Sequence, residues 1–287
     1  MVTINKPLIT VIIPSLNRHE LLLKSIRSVF SQEGIKRRTK IIVVDEASTP
    51  PLNKFLQNRL SKTEWNRVKV IRNNRALGPS LARTIGLKYA NSPYIAFLDS
   101  DDFWMKNFLQ LCLTRLNKND KDIITTSGRP IFWGSIPFLT KLNYLSVSYA
   151  RYLVLLTIYF LNDKRLPYSL LYFLRLSSMV FTRRAIGKAK FVMAYRTAED
   201  WKFIWDCIKL NKPSIYILPR QLVQFSYSYQ SESIRRKHYW GYYYKLIDEL
   251  PKKIRQSFGI RLFKKYTDLS VNLNHSKKHL HYYPKTD

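Results

Sequence analysis

Over the first hundred residues, short β-branched runs alternate with stripes of helical period. Residues 8–13 form an apolar run that stops at Pro14, and 40–44, 68–71 and 94–98 repeat the pattern. Between the first two runs, residues 19–32 place Leu22, Ile26, Val29 and Phe30 on one helical face, with Lys24 and Arg27 opposite. Residues 52–62 are helix-like. Ser80 reads as the cap of a further helix with Leu81, Ile85 and Tyr89 inward. Strands alternating with helices predict an α/β fold with a mostly parallel, Rossmann-like sheet and right-handed crossovers.

The pattern changes after Trp104. A helix is expected over 108–116 and a short strand over 122–127. An aromatic and aliphatic stretch then runs over 131–181. Trp201, Ile204, Trp205 and Ile208 recur at helical spacing, and 215–218 reads as a strand closed by Pro219. The expected organisation is a nucleotide-binding half over 1–104, a helical, aromatic-rich half over 105–225, and a basic, aromatic extension over 226–287.

Charge narrows the class of partner. The 287-residue chain carries 49 Lys and Arg against 19 Asp and Glu, a net charge of +30. This points to nucleic acid, an anionic membrane surface or phosphorylated substrates. The stretch 105–197 has fifteen basic residues against three acidic ones, and 226–287 has thirteen against five. The aromatic middle suits either a helical core under a basic surface or a membrane- or acceptor-contacting face. In the tail, Tyr239, Trp240 and Tyr242 to Tyr244 suit stacking on bases or an anionic lipid interface equally. His275, His279 and His281 lack a zinc partner set and read as solvated. Cys112 and Cys207 are far apart and read as reduced core thiols of a cytosolic protein. No signal peptide is expected at the N-terminus. The apolar segment 142–161 contains Asn143 and Arg151, so it is a poor spanning helix.

Two of the expected strands end in carboxylates. Asp45 follows the second, and Asp99-Ser100-Asp101-Asp102 follows the fourth. Acidic groups collected on the carboxyl edge of a parallel sheet mark a ligand crevice. Hard divalent cations such as Mg²⁺ and Mn²⁺ take such oxygens and share them with substrate phosphates. A solvated acidic turn, with Asp102 capping the next helix, is the simpler alternative. Neither a Gly-x-Gly-x-x-Gly nor a Walker lysine motif occurs, against an ordinary dinucleotide or P-loop site.

Five ordered elements resemble the family 2 glycosyltransferases, inverting nucleotide-sugar enzymes of the GT-A fold. They are Ile12-Ile13-Pro14-Ser15-Leu16-Asn17-Arg18, Val43-Val44-Asp45-Glu46-Ala47-Ser48, the stretch from Asn74 through Gly78 to Arg83, Asp99-Ser100-Asp101 continuing to Trp104, and Glu199-Asp200-Trp201. The resemblance covers roughly residues 7–235. It implies that Pro14, Ser15 and Asn17 pack against the base of a nucleotide sugar, and that Asp45 accepts from the base imino group. Arg83 would meet the diphosphate. Asp99, Ser100 and Asp101 would line the donor site, with Asp101 and Asp99 holding Mn²⁺ or Mg²⁺. Asp200 would be the general base, and Glu199 and Trp201 would face the acceptor, although the helical stripe also suits Trp201 as core. Leu16, Glu46 and Thr84 depart from the family pattern, and no His stands in 227–233, leaving His238 as a distant candidate ligand.

The expected function is transfer of one sugar from a nucleoside-diphosphate donor, UDP-sugar favoured, to a glycan acceptor in surface polysaccharide or lipopolysaccharide synthesis. The acceptor is expected to be lipid-linked and handled at the cytoplasmic face of an anionic membrane, with no nucleic acid as partner. The alternatives are a nucleic-acid-binding protein, a non-catalytic relative, and a sugar-nucleotide pyrophosphorylase. The last is disfavoured because Pro14 to Arg18 is not a Gly-rich loop.

Overall fold

The computed structural model describes residues 7–35, 38–118, 122–161, 174–194, 198–228 and 240–256. Four parallel strands, β1 (Ile9–Ser15), β2 (Thr39–Asp45), β3 (Val68–Arg72) and β4 (Tyr94–Phe97), open the chain. Helix α1 (His19–Phe30) links β1 to β2. Helices α2 (Leu52–Arg59) and α3 (Lys62–Trp65) link β2 to β3, and α4 (Pro79–Tyr89) links β3 to β4. The chain continues through β5 (Phe103–Trp104), α5 (Phe108–Lys118), β6 (Ile123–Trp133) and α6 (Phe138–Leu161). It then runs through β7 (Met179–Thr182), α7 (Arg183–Ile186), α8 (Glu199–Asn211) and β8 (Ile215–Ser228).

All eight strands join one sheet in the order β3-β2-β1-β4-β7-β6-β8-β5. Strand β7 runs antiparallel to both β4 and β6, and β5 runs antiparallel to β8. The sheet is therefore mixed, with its parallel block in the first half, and the two expected halves share it through the β4–β7 pair.

Alternation along the strands divides the core. Ile9, Val11 and Ile13 of β1 face α1, α2 and α5, where Leu22, Ile26, Leu52, Leu56 and Phe108 are all fully buried. Ile12, Ile42, Val44 and Phe97 face the opposite layer, built from α4, α7 and α8. There Phe97 meets Phe181, Phe191 and Phe203 edge-on, with centroids 5.9, 5.3 and 5.5 Å away. Phe191 and Phe203 stack at 4.0 Å. Offset and edge-to-face contacts of this kind add to what burial alone contributes. Cys112 and Cys207 are free and buried in these layers, as expected.

Several expectations change. Pro219 does not end β8. Thr126 pairs with Leu218 and Ser127 with Gln221, so Pro219 and Arg220 bulge out of the ladder, where a missing N–H costs nothing, and pairing resumes to Ser228. The N-cap of α4 is Gly78 at φ 89°, and the fully buried positions are Ser80, Ala82, Arg83 and Gly86; Ile85 packs part-buried against the core as expected, while Tyr89 is exposed. The inward face is turned because Gly86 lets α4 lie against β1. Residues 240–256 include the helices Trp240–Glu249 and Lys252–Arg255. Leu246, Ile247 and Leu250 are buried against α8, so this part of the tail is core. Tyr239 and the histidines at 238, 275, 279 and 281 lie outside the described residues. Among the described residues, no helix is long and apolar enough to cross a membrane.

The approach of α4 gives a test. A Cβ added at Gly86 would sit 2.4 Å from Ile12 Cγ2. Gly86→Ala is expected to lower stability by about 1–3 kcal/mol in urea melts, because both the helix and the strand are packed from behind.

Candidate active site

The parallel block delivers its polar residues to one edge. In register, Ser15 of β1 lies beside Asp45 of β2, and Asp45 beside Arg72 of β3. Beyond β4, the chain turns at Asp99 to Asp102 on that same edge. Two loops wall the β1–β2 side. The N–H of Asn17, at φ 53°, donates to Ser48 Oγ (2.9 Å), and its side-chain oxygen accepts from the N–H of Thr49 (2.8 Å). Pro14 is buried, and Ser15 Oγ is buried with no hydrogen-bond partner.

Asp45 is an organiser of this wall. Its side chain has no exposed surface. One oxygen accepts from the N–H of Ser48 (2.8 Å). The other accepts from the N–H of Leu52 (3.2 Å) and from the Arg72 guanidinium (2.6 Å). The direct base contact expected of Asp45 is therefore not open in this structure. Glu46 does the same on the next loop. It accepts from Asn73 (2.6 Å) and from the N–H groups of Leu77 (2.9 Å) and Gly78 (2.5 Å), which fixes the start of α4.

Arg83 projects from α4 into the centre. Its side chain is only 6% exposed. It donates to Asp99 (2.7 Å) and Glu199 (3.2 Å), and its guanidinium lies 5.6 Å from the centre of the Phe191 ring. Burial alone would lower its pKa, but Asp99 and Glu199 outweigh burial and hold it more firmly protonated than usual. Its Nε has no partner. Glu199, expected on the acceptor side, is instead the second anchor of Arg83, and Arg83 is a buried organiser more than an open anion clamp.

The acidic turn is held from behind. Ser177 Oγ accepts from the N–H of Asp99 (3.1 Å), and the Ser177 carbonyl accepts from Trp104 Nε1 (2.7 Å). Ser25 Oγ donates to the carbonyls of Asp99 (3.2 Å) and Asp102 (2.9 Å). Asp102 does not cap α5. It is buried and accepts from the N–H of Ser226 at the end of β8 (3.0 Å). Burial, then Asp99 and Asp101, push its carboxyl well above the ordinary range. Asp101 pairs with Arg18 at 2.6 Å.

Asp200 sits at the start of α8, beside Glu199. Burial raises it to about 6, against the pull of Arg83 and of the Trp201 N–H, which donates to Asp200 Oδ1 at 2.8 Å. Burial and the Asp200 charge raise Glu199 to about 7. Such a pair titrates near neutral pH, where a general base works best. Trp201 packs against the core layer, in line with its helical stripe.

This edge gathers carboxylates around one buried guanidinium, with an acid raised toward neutral pH beside it, and sequence comparison assigns the family. The model of the family described as Glycosyl transferase family 2 matches residues 10–187. The chain belongs to glycosyl transferase family 2. An uncharacterized glycosyltransferase of Haemophilus influenzae is 28% identical over 239 residues, covering 81% of this chain and 80% of that protein. The Escherichia coli UDP-Glc:alpha-D-GlcNAc-diphosphoundecaprenol beta-1,3-glucosyltransferase WfgD is 34% identical over 115 residues, 39% of this chain and 42% of its own. Staphylococcus aureus TarS 1-349 in complex with UDP-GlcNAc superposes with a TM-score of 0.69 at 16% identity, covering 94% of this chain and 76% of that one. The fold of this glycosyltransferase is thus GT-A, and the enzyme is nucleotide-sugar dependent.

Arg83 joins Asp99 of the Asp99-Ser100-Asp101 turn to Glu199, with Asp200 next in the chain, while Pro14, Ser15, Asn17 and Asp45 lie on the β1–β2 side of the same edge. The sequence reading had no roles for Arg18, Arg175, Ser177 and Ser226. Arg175 and Ser177 follow a stretch with no motif and arrive only through the β4–β7–β6 pairing. The carboxylates fit a hard divalent cation. Asp99 is 44% exposed, and both acids offer oxygen donors. Among the described residues, no group of three or more His, Cys, Asp or Glu is placed to hold a metal ion. Mg²⁺ and Mn²⁺ bind in this way, through one or two carboxylates shared with substrate phosphates.

Removing the central cation exposes its importance. Arg83→Met should destabilise this glycosyltransferase by roughly 3 kcal/mol in urea melts, since it strands Glu199 beside Asp200 in a buried setting. Arg83→Lys should recover part of that loss.

Proposed function

We propose that this enzyme is an inverting transferase that moves one sugar from a UDP-sugar to a hydroxyl of a lipid-linked glycan during surface polysaccharide synthesis. It would act at the cytoplasmic face of an anionic membrane. The observation that carries the proposal is Arg83. One guanidinium ties the donor-side acid Asp99 to the Glu199–Asp200 pair. In this reading the donor diphosphate and the acceptor base would lie on opposite sides of a single buried cation.

In this reading the base of the nucleotide lies over the Pro14–Asn17 turn, shaped from below by Asp45 and Ser48. Asp99 and Asp101 would hold a divalent cation against the diphosphate, where it would act as a Lewis acid on the departing charge. For Asp101 this means releasing Arg18. Asp200, ionised above pH 6, accepts the proton of the acceptor hydroxyl. That oxygen then attacks the anomeric carbon from the face opposite the diphosphate, which inverts the configuration. Arg83 supplies positive potential behind Asp99 throughout. The UDP preference and the lipid-linked acceptor draw on WfgD, whose name specifies both a UDP-Glc donor and a diphosphoundecaprenol acceptor, and on UDP-GlcNAc in TarS. The net charge of +30 supports an anionic membrane as the setting.

Three outcomes test this. Asp200→Asn should keep UDP-induced thermal stabilisation and lose transfer by at least about 100-fold, the usual range for a proton-transfer group. The parent kcat/KM should fall roughly tenfold per pH unit below about 6, because protonation of Asp200 removes the base. Asp101→Asn should abolish the Mn²⁺-dependent part of the UDP thermal shift. Unchanged transfer in both variants would refute the site assignment.

A further inference from the structure

Helix α6 has two faces with different fates. Its 24 residues span about 36 Å. Inward, Tyr144 packs on Tyr227 with centroids 4.2 Å apart, Ser148 Oγ donates to the Gly128 carbonyl (2.9 Å), and Leu155 is buried. Outward, Phe138, Leu139, Leu142, Leu145, Tyr149 and Phe160 stand exposed, Leu139 at 77% and Phe160 at 73%. A soluble surface rarely presents a continuous apolar strip of this length unless something covers it.

We propose that this outer face of α6 is a monotopic docking surface that lies flat in the interface of an anionic bilayer. The charge pattern selects this occupant. Helix α6 contains Lys141 and Arg151 and no acid, and residues 123–198 hold eleven Lys and Arg against one Asp. An apolar strip of Leu, Phe and Tyr on an acid-free helix, within a basic and acid-poor stretch of the chain, matches the acyl boundary and headgroups of anionic lipid. A second copy of a chain with net charge +30 would meet like charge around the same strip. The helix is not apolar enough to cross, so it lies along the surface.

The inner side of the helix shows what docking would serve. Ser148, Arg151 and Leu155 of α6 share a small cavity of about 20 Å³ with Arg175 and Phe225. Burial works against the charge of Arg175, and Tyr227, Asp102 and Asp200 outweigh it and hold the guanidinium charged. The outer strip and the Arg175 cavity are thus on two faces of one helix, which would bring the Arg175 side of the site toward the membrane plane. The proposal deepens the lipid-linked acceptor reading and rests on it for its purpose, but its test needs no donor or acceptor.

The test is co-sedimentation of the full chain with vesicles of phosphatidylcholine, with and without 30% phosphatidylglycerol, at 0.15 M salt. Parent protein should sediment with the anionic vesicles. Leu139→Glu/Leu142→Glu should reduce partitioning by roughly tenfold or more, since two side chains are withdrawn from the acyl boundary. Leu139→Ala/Leu142→Ala should give an intermediate loss. Both variants should melt at the parent temperature, as the positions are exposed. Asp200→Asn should bind vesicles like the parent. Equal vesicle binding by parent and Glu variant would overturn the proposal. So would a parent dimer in light scattering that the Glu variant dissolves, or a lowered melting temperature without vesicle binding, which would mean a segment of this chain covers the strip. Transfer to a water-soluble acceptor separates the two readings. Its persistence beside failed vesicle binding would reject only the docking face.

Discussion

A buried guanidinium is costly to remove from water, and the site of this enzyme is arranged around making that tolerable. Arg83 takes Asp99 and Glu199 as partners and lies over Phe191, so three separate parts of the chain must arrive together. Helix α4 brings the cation, the turn after β4 brings Asp99, and α8 brings Glu199. Each has its own support. Gly86 lets α4 settle on Ile12, Glu46 grips the N–H groups that start α4, and Ser177 and Ser25 hold the acidic turn. The stacked pair Phe191 and Phe203 carries the hydrophobic layer directly beneath the cation.

That one cation also explains the titration of the proposed base. Glu199 and Asp200 are adjacent acids in a dry setting. Burial raises both, while Arg83 keeps them from rising further. A base near pH 6 follows from this balance, in a chain whose surface is otherwise strongly basic. The surface plays a different part. In the proposed reading, positive charge and the outer strip of α6 would bear on where the enzyme sits, while the acids at the strand edge would bear on what it does there.

Much of the nucleotide-binding half was legible residue by residue. The runs stopping at Pro14, Val44, Ile71 and Leu98 are strands β1 to β4 within one or two residues, because β1, β2 and β4, buried on both faces, must be apolar, and even the half-exposed edge strand β3 keeps Val68, Val70 and Ile71 against the core. The acids Asp45, Asp99 and Asp101 were readable as polar breaks at the ends of such runs, whereas Asp200, at the start of a helix, was singled out by the family resemblance. Other features were misread for physical reasons. Pro219 was taken as a stop because a proline removes a donor, but a bulge absorbs that loss. The inward face of α4 was misjudged because a glycine carries no hydrophobic signal, and at Gly86 it is the missing side chain that brings helix and sheet together.

The sequence by itself determined the alternation of strand and helix, the family, and which carboxylates cluster at the edge of the sheet, since these depend on local periodicity and on residues close in the chain. Only the tertiary structure decided the partners. That Arg83 bridges Asp99 and Glu199, that Asp101 faces Arg18, that Asp102 is held by Ser226, and that Ser177 supports the turn all depend on contacts across 16 to 124 positions. No periodicity encodes such distances. They follow from the antiparallel insertion of β7 between β4 and β6, which folds the second half of the chain over the edge of the first.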